Sequence, residues 1–208
     1  SQKKYDKARE AFSAYIDGTL ATESTYADAL NRIGDCYFNN RDFRQATTYY
    51  TQVSNMEASC ADYALFQRGY AVGLQRMYDE KVNVMKQLIS RYPKSDYADD
   101  GMYEIARAQL QQEDERAAII TYEQLLSTYP HSPLARKAAI ERAMLFRNLE
   151  QNDQAIAAYR STIETYPGTE EAYTSLDALQ ALYVAQGNVD EYLAFTKNLA
   201  QINMTVTT

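Results

Sequence analysis

Three Tyr-Pro dipeptides, Tyr92-Pro93, Tyr129-Pro130 and Tyr166-Pro167, stand 37 residues apart. A spacing that recurs at this length marks a repeat architecture, in which each unit is one supersecondary element and stacked neighbours bury a common core. Each proline is followed two residues later by a hydroxyl side chain, Ser95, Ser132 and Thr169. Proline cannot continue a helix, and a serine or threonine hydroxyl accepts from an unpaired N–H at the start of the next one. The group therefore reads as helix stop, turn and N-cap. Ser132-Pro133 adds a proline at the first helical position, where its missing N–H is not needed.

Aligned on these marks, apolar residues recur at the helical period. The first helix of each unit carries Leu30, Ile33 and Tyr37; Leu65 and Val72; Met102 and Ile105; Ala139 and Phe146; Leu176, Leu179 and Tyr183. A small residue (Gly34, Gly69, Ala106, Ala143) recurs at one register, where two helices must approach closely. The second helix carries Ala46, Tyr50 and Val53; Met85 and Leu88; Ala118, Tyr122 and Leu125; Ala155, Tyr159 and Ile163. Polar turns such as Asn39-Asn40-Arg41-Asp42, Glu113-Asp114 and Gly187-Asn188 separate the two. With only seven glycines and four prolines, the chain favours long helices over a turn-rich sandwich.

A helix–turn–helix unit with small residues at its eighth and twentieth positions and a closing proline resembles the tetratricopeptide repeat. The long Tyr-Pro-x-Ser/Thr form is similar to repeats of bacterial envelope proteins, the outer-membrane assembly lipoproteins and Tol–Pal coordination proteins among them. Two departures stand out. Leu30, Leu65, Met102, Ala139 and Leu176 replace the usual fourth-position Trp, and the later units run to 37 residues. The resemblance implies an all-α fold, a right-handed α-α superhelix of five helical hairpins. Their expected bounds are 25–58, 59–94, 95–131, 132–168 and 169–204, within one solenoid spanning 1–208. Residues 2–18 read as one further helix without its first-helix partner, placing Ala8, Phe12 and Tyr15 in second-helix positions. Neither this helix nor the last, with Tyr192, Leu193 and Phe195, has a polar cap beyond it. The chain thus reads as a piece of a longer array, or as one whose solenoid ends self-associate.

The resemblance also places a binding surface. Its inner face comes mainly from first-helix positions two, five, nine and twelve, which carries over to Phe38, Tyr63, Phe66, Tyr70, Tyr103 and Arg107. Ile140, Met144 and Arg147 follow in the next unit. An aromatic and apolar patch ringed by polar groups is how partner sites are built. Chaperone-binding members of the family hold a terminal carboxylate with Lys and Asn. Here Asn31 stands at the fifth position of its unit but Asp35 occupies the ninth, and an acid there repels a carboxylate.

No chemistry is legible. The one histidine, His131, sits in a Pro-His-Ser-Pro turn, and Cys36 and Cys60 have no metal or redox spacing, so neither metal nor cofactor is expected. Cys36 falls at an inward position, where a small buried thiol is expected. Phosphate loops, nucleophile elbows and zinc-helix motifs do not occur, and Ser1-Gln-Lys-Lys4 matches S-x-x-K in form only. Asp99, Asp100, Glu113, Asp114 and Glu115 fall at helix starts and turns, where acids favour the positive end of the helix dipole. Asn203-Met204-Thr205 is a single glycosylation sequon. With a formal charge of −7 and scattered Lys and Arg, the cationic face that nucleic acid requires is not expected. No stretch approaches the roughly 18 apolar residues of a membrane span.

The expected function is a non-enzymatic scaffold that holds a protein or peptide segment in the groove. Arg107, Lys137 and Arg147 bias it toward acidic flanks. A regulatory or targeting arm of a larger protein is the second reading. A carbohydrate module is the third, weakened by the absence of Trp. Cell-envelope localisation is implied by the resemblance alone.

Overall fold

A computed structural model describes residues 2–19 and 24–201; the sequon at 203–205, Ser1 and the end of the last expected hairpin lie outside them. The described residues form eleven helices and no strand. They divide into two compact units at the Asp114/Glu115 junction. The first unit holds α1 (Gln2–Asp17), α2 (Ser24–Asn39), α3 (Phe43–Ser54), α4 (Ala61–Leu74), α5 (Tyr78–Arg91) and α6 (Ala98–Gln111). The second holds α7 (Glu115–Thr128), α8 (Ala135–Asn148), α9 (Asn152–Thr165), α10 (Glu170–Ala185) and α11 (Val189–Gln201). Within each unit every helix packs on the next in sequence, the contact pattern of stacked hairpins.

The turn inside each hairpin is built the same way. Arg41, Arg76, Glu113, Glu150 and Gly187 occupy one register, and all have a positive φ, between 58° and 73°. In each case the next residue's N–H returns to a carbonyl five residues back: Asp42 to Tyr37 at 2.9 Å, Met77 to Val72 at 3.1 Å, Gln151 to Phe146 at 2.9 Å. This is the Schellman C-cap, which satisfies carbonyls the helix leaves open. Four of the five positions accept left-handed strain without glycine, at about 1–2 kcal/mol each.

Between hairpins the Tyr-Pro turn behaves partly as expected. Tyr92 and Tyr166 leave the helical region at φ −133° and −124°, as a residue before proline must. Thr169 is a true N-cap, its hydroxyl accepting from the Ala172 N–H at 3.3 Å. Ser95 and Ser132 are not. Their hydroxyls accept from the N–H two residues on, Tyr97 at 3.1 Å and Leu134 at 3.0 Å, and so close a turn ahead of α6 and α8. Pro133 correspondingly lies in that turn, not at the first helical position. Ser95 also donates to Asp62 of α4 at 2.7 Å, tying the turn to the preceding hairpin.

The small residues of the first helices meet large ones of the second. A Cβ on Gly34 would stand 2.6 Å from Cε1 of Tyr50, and one on Gly69 would stand 2.7 Å from Cε of Met85. Tyr50 and Met85 are fully buried in these slots, and Tyr122 and Tyr159 are fully buried in the second unit, each burial favouring the fold by roughly 1.5–3 kcal/mol. Tyr37, expected inside, is only half-buried, stacked on Tyr49 at 5.4 Å with the Arg9 guanidinium 5.0 Å from its ring centroid. In α1, Ile16 rather than Tyr15 packs on the α2–α3 core. Tyr15 is 46% exposed because the helix turns that residue off the core face. Leu193 of α11 is 56% exposed while Phe195 is buried. Cys36 is buried as expected, and both cysteines are free thiols.

Candidate functional site

In the first unit, seven aromatic rings form an unbroken row. Phe43 meets Phe38 edge-on at 5.3 Å between centroids, and Phe38 meets Tyr70 at 6.1 Å. Tyr70 stacks on Phe66 at 6.2 Å, and Phe66 on Tyr97 at 5.2 Å. Tyr63 then meets Tyr97 at 5.7 Å and Tyr50 at 6.5 Å, both edge-on. Apart from the buried Tyr50, these rings are half-exposed. Each contact of this kind adds about 0.5–1.5 kcal/mol beyond area burial, so the row is a rigid platform. Helical spacing brings Phe38, Tyr63, Phe66 and Tyr70 together, as the sequence reading expected. Phe43 and Tyr97 lie at the start of α3 and just before α6, outside the first-helix positions, and were missed. Their flanking of an aromatic first-helix face is the signal that marks them.

One end of the row is anchored by Asp35. Its Oδ1 accepts from the hydroxyls of Tyr50 at 2.8 Å and Tyr63 at 2.7 Å, and Oδ2 from Arg32 at 3.2 Å. Burial first, and then the Asp35 carboxylate, push both phenols well above their ordinary range. They stay neutral donors at any physiological pH. Asn31 is buried and donates to the Cys60 carbonyl at 3.3 Å. Neither Asn31 nor Asp35 is therefore presented to a carboxylate ligand.

At Tyr70 the row borders a cavity of about 250 Å³, lined also by Gly73, Tyr78, Lys81, Glu104 and Arg107. Lys81 of α5 and Glu104 of α6 form a buried ion pair through Nζ and Oε2. The Arg107 guanidinium holds the other oxygen, Oε1, at 3.2 Å while its side chain stays 54% exposed. Lys81 Nζ also lies 5.8 Å from the Tyr70 ring centroid, within cation–π range. Desolvation lowers the Arg107 pKa, and the charge and hydrogen bond of Glu104, with smaller help from Tyr103 and Tyr70, more than offset it. Asp100, one turn before Glu104, has its carboxyl held above the usual range by burial and by Asp99 and Glu104. The dipole argument placed Asp99 and Asp100 correctly in the first turn of α6, but it missed this desolvation.

Two expected surface residues belong to the core instead. Tyr103 is 5% exposed and Ile140 is 7% exposed, because α6 and α8 turn these positions toward packed neighbours. In the second unit Met144 is half-buried against the α9–α10 core, and Arg147 and Lys137 are exposed on α8. His131 is exposed beside Arg136 and Tyr166 at the mouth of a shallow cavity. Among the described residues no group of three or more His, Cys, Asp or Glu side chains could hold a metal ion. No helix among them is long and apolar enough to cross a membrane.

A model of an outer membrane lipoprotein family, YfiO, matches residues 58–186, and a tetratricopeptide repeat model matches 27–60. No curated protein sequence matches the chain. Among solved structures, MamA superposes with a TM-score of 0.60 at 20% identity, covering 82% of this chain and 88% of that one. BtubC from P. vanneervenii gives 0.65 at 12% identity over 97% and 89% of the two chains. YrrB, described as a TPR protein with an unusual peptide-binding site, gives 0.58 at 16% identity over 95% of each. At these identities the likeness is one of fold, an all-α tetratricopeptide-type repeat.

Proposed function

We propose, from the premise that this chain belongs to the outer membrane lipoprotein family YfiO, that it is a non-enzymatic scaffold at the outer membrane, holding a protein segment on the aromatic row. The observation that carries the reading is the row itself. Phe38, Phe66 and Tyr70 are half-exposed, mutually locked and flanked by a charged pocket. Rigid aromatics give a partner large contact area at little ordering cost, and the exposed Arg107 supplies a polar rim. The similarly folded YrrB is described as having a peptide-binding site, which supports segment binding by a fold of this type. Met144 and Arg147 offer a second, smaller surface in the second unit.

The test is affinity capture from an envelope extract of the source organism with the wild type and with Phe66→Ala/Tyr70→Ala. Tyr103 is left intact because its truncation would open the core. A protein retained by the wild type and lost by the double variant, at unchanged helical circular dichroism, is the expected result. Equal retention by both removes the row from the binding surface.

A further inference from the structure

Lys81 breaks the repeat where the repeat is strictest. The corresponding second-helix slots hold Ala46, Ala118 and Ala155, all fully buried. In the second hairpin that slot holds a lysine only 8% exposed. The facing first helix makes room for it. At the register of Phe38, Leu110 and Arg147 stands Gly73, where a Cβ would lie 2.6 Å from Cδ of Lys81. The lysine stem runs over this bare backbone to Glu104 and to the cavity beside Tyr70.

Stability is a weak reason for the arrangement, since well-packed apolar residues of similar volume often replace a buried ion pair at no loss. The charge balance is uneven. Lys81 and Arg107 converge on the two oxygens of one carboxylate, so the cavity wall holds two cations against one anion. Asp100 does not line it. An ammonium has three donors and a guanidinium five. Among the described residues Glu104 is the one carboxylate these donors reach, so the pocket is rich in donors and short of acceptors. Tyr78 and Gln111 pair with each other across its rim at 3.3 Å. The volume of about 250 Å³ equals about eight waters at ~30 Å³ each, room for a short side chain rather than a folded element.

We propose that this cavity takes the aspartate or glutamate side chain of a protein segment lying on the aromatic row, with Lys81 and Arg107 donating to its carboxylate. The proposal rests on the reading of that row as a segment-binding face. Tyr70, shared by row and cavity, sets the acid next to an apolar or aromatic residue of the segment. Two charge-assisted hydrogen bonds to one carboxylate are strong and directional.

The test is selection of a random twelve-residue peptide library, displayed with its C-terminus fused to the carrier, on the full chain. The best peptide is then remade with its acid changed to the amide. The pocket predicts enrichment of Asp or Glu at one position beside an aromatic or apolar residue. It also predicts at least a roughly tenfold affinity loss on Glu→Gln in the peptide. That loss should shrink below about threefold on Arg107→Gln and on the paired variant Lys81→Met/Glu104→Leu. Arg107 is exposed, so its variant carries the test even where the paired one does not fold. Selected peptides with no preferred acid, or an amide penalty equal on wild type and variants, overturn the pocket and leave the row standing. An acid preference seen only in a library with free C-termini reassigns the pocket to a chain end and overturns the side-chain proposal. No enrichment in either library overturns both.

Discussion

Replacing Tyr159 by Phe removes one oxygen from a fully buried position of the second unit, and the chain should become more stable. Tyr159 is fully buried, and its hydroxyl has no hydrogen-bond partner among the described residues. Its counterparts are satisfied: Tyr50 donates to Asp35 at 2.8 Å, and Tyr122 donates to Glu141. The residue 37 positions beyond Glu141 is Ala178, which offers no side-chain acceptor. Burial alone raises the Tyr159 phenol above its ordinary range, opposed only by Arg147. An unsatisfied buried hydroxyl costs about 1–3 kcal/mol, and deleting it leaves the ring packing intact. Tyr159→Phe should therefore stabilise by about 1 kcal/mol, or roughly 2–4 °C in Tm for a chain of this size. Tyr50→Phe is the control. It strips a donor from Asp35, and hydrogen bonds to charged groups are worth about 1.5–3 kcal/mol, so it should destabilise by about that much. Urea unfolding of both variants, followed by circular dichroism, reads the two signs. A loss for Tyr159→Phe comparable to that for Tyr50→Phe would refute the orphan assignment and with it the register argument.

The hairpin turns make a second prediction. Arg41→Gly, Arg76→Gly and Glu150→Gly should each raise stability by about 0.5–1 kcal/mol. Relief of left-handed strain exceeds the added chain entropy there, while Gly187→Ala should lower it by a similar amount. Thermal melts of the four variants check both signs. A third prediction concerns pH. The Asp100 carboxyl titrates higher in the folded chain than unfolded, so its favourable contribution is complete below the unfolded value of about 3.9 and is lost as pH rises through the folded one. Asp100→Asn should match the wild type near pH 3.5 and gain on it toward pH 7. A urea midpoint that moves the opposite way would show that the helix-dipole attraction at the start of α6 outweighs desolvation.

Much of the fold was legible because the repeat is written in residues with strong local consequences. Pro93, Pro130 and Pro167 end helices whatever surrounds them, and the Gly34 and Gly69 slots can only mean close helix contact. The misses lie where local chemistry has two outlets. Ser95 and Ser132 could cap a helix or close a turn. The backbone chose the turn, with the Ala98 and Ala135 N–H groups returning to the serine carbonyls at 3.0 Å. The left-handed turn residues were invisible because four of the five carry side chains that disfavour that conformation. On the aromatic row, helical spacing grouped Phe38, Phe66 and Tyr70 but could not separate the buried Tyr103 from them. Tyr103 stands 37 residues beyond Phe66 at the same register, so only the side chains packed around each position set its burial.

The departures from the repeat carry different information from the repeat itself. Residues that recur at every register, such as Ala46, Ala118 and Ala155, answer the same packing demand in each hairpin and so report only the fold. Lys81 answers no such demand, yet Gly73 opposite gives up its side chain to accommodate it and Glu104 on the next helix is placed to meet it. Lys81 and Gly73 are two coordinated exceptions on adjacent helices, and they turn a carboxylate whose register Glu141 shares in the next hairpin to a different use. Tyr159 shows the contrast, since its buried hydroxyl lacks an acceptor and no neighbouring side chain among the described residues supplies one. An isolated exception leaves an unsatisfied atom and a cost in stability, whereas a concerted one builds a pocket. That difference assigns recognition to the Lys81 cavity and only a packing role to Tyr159.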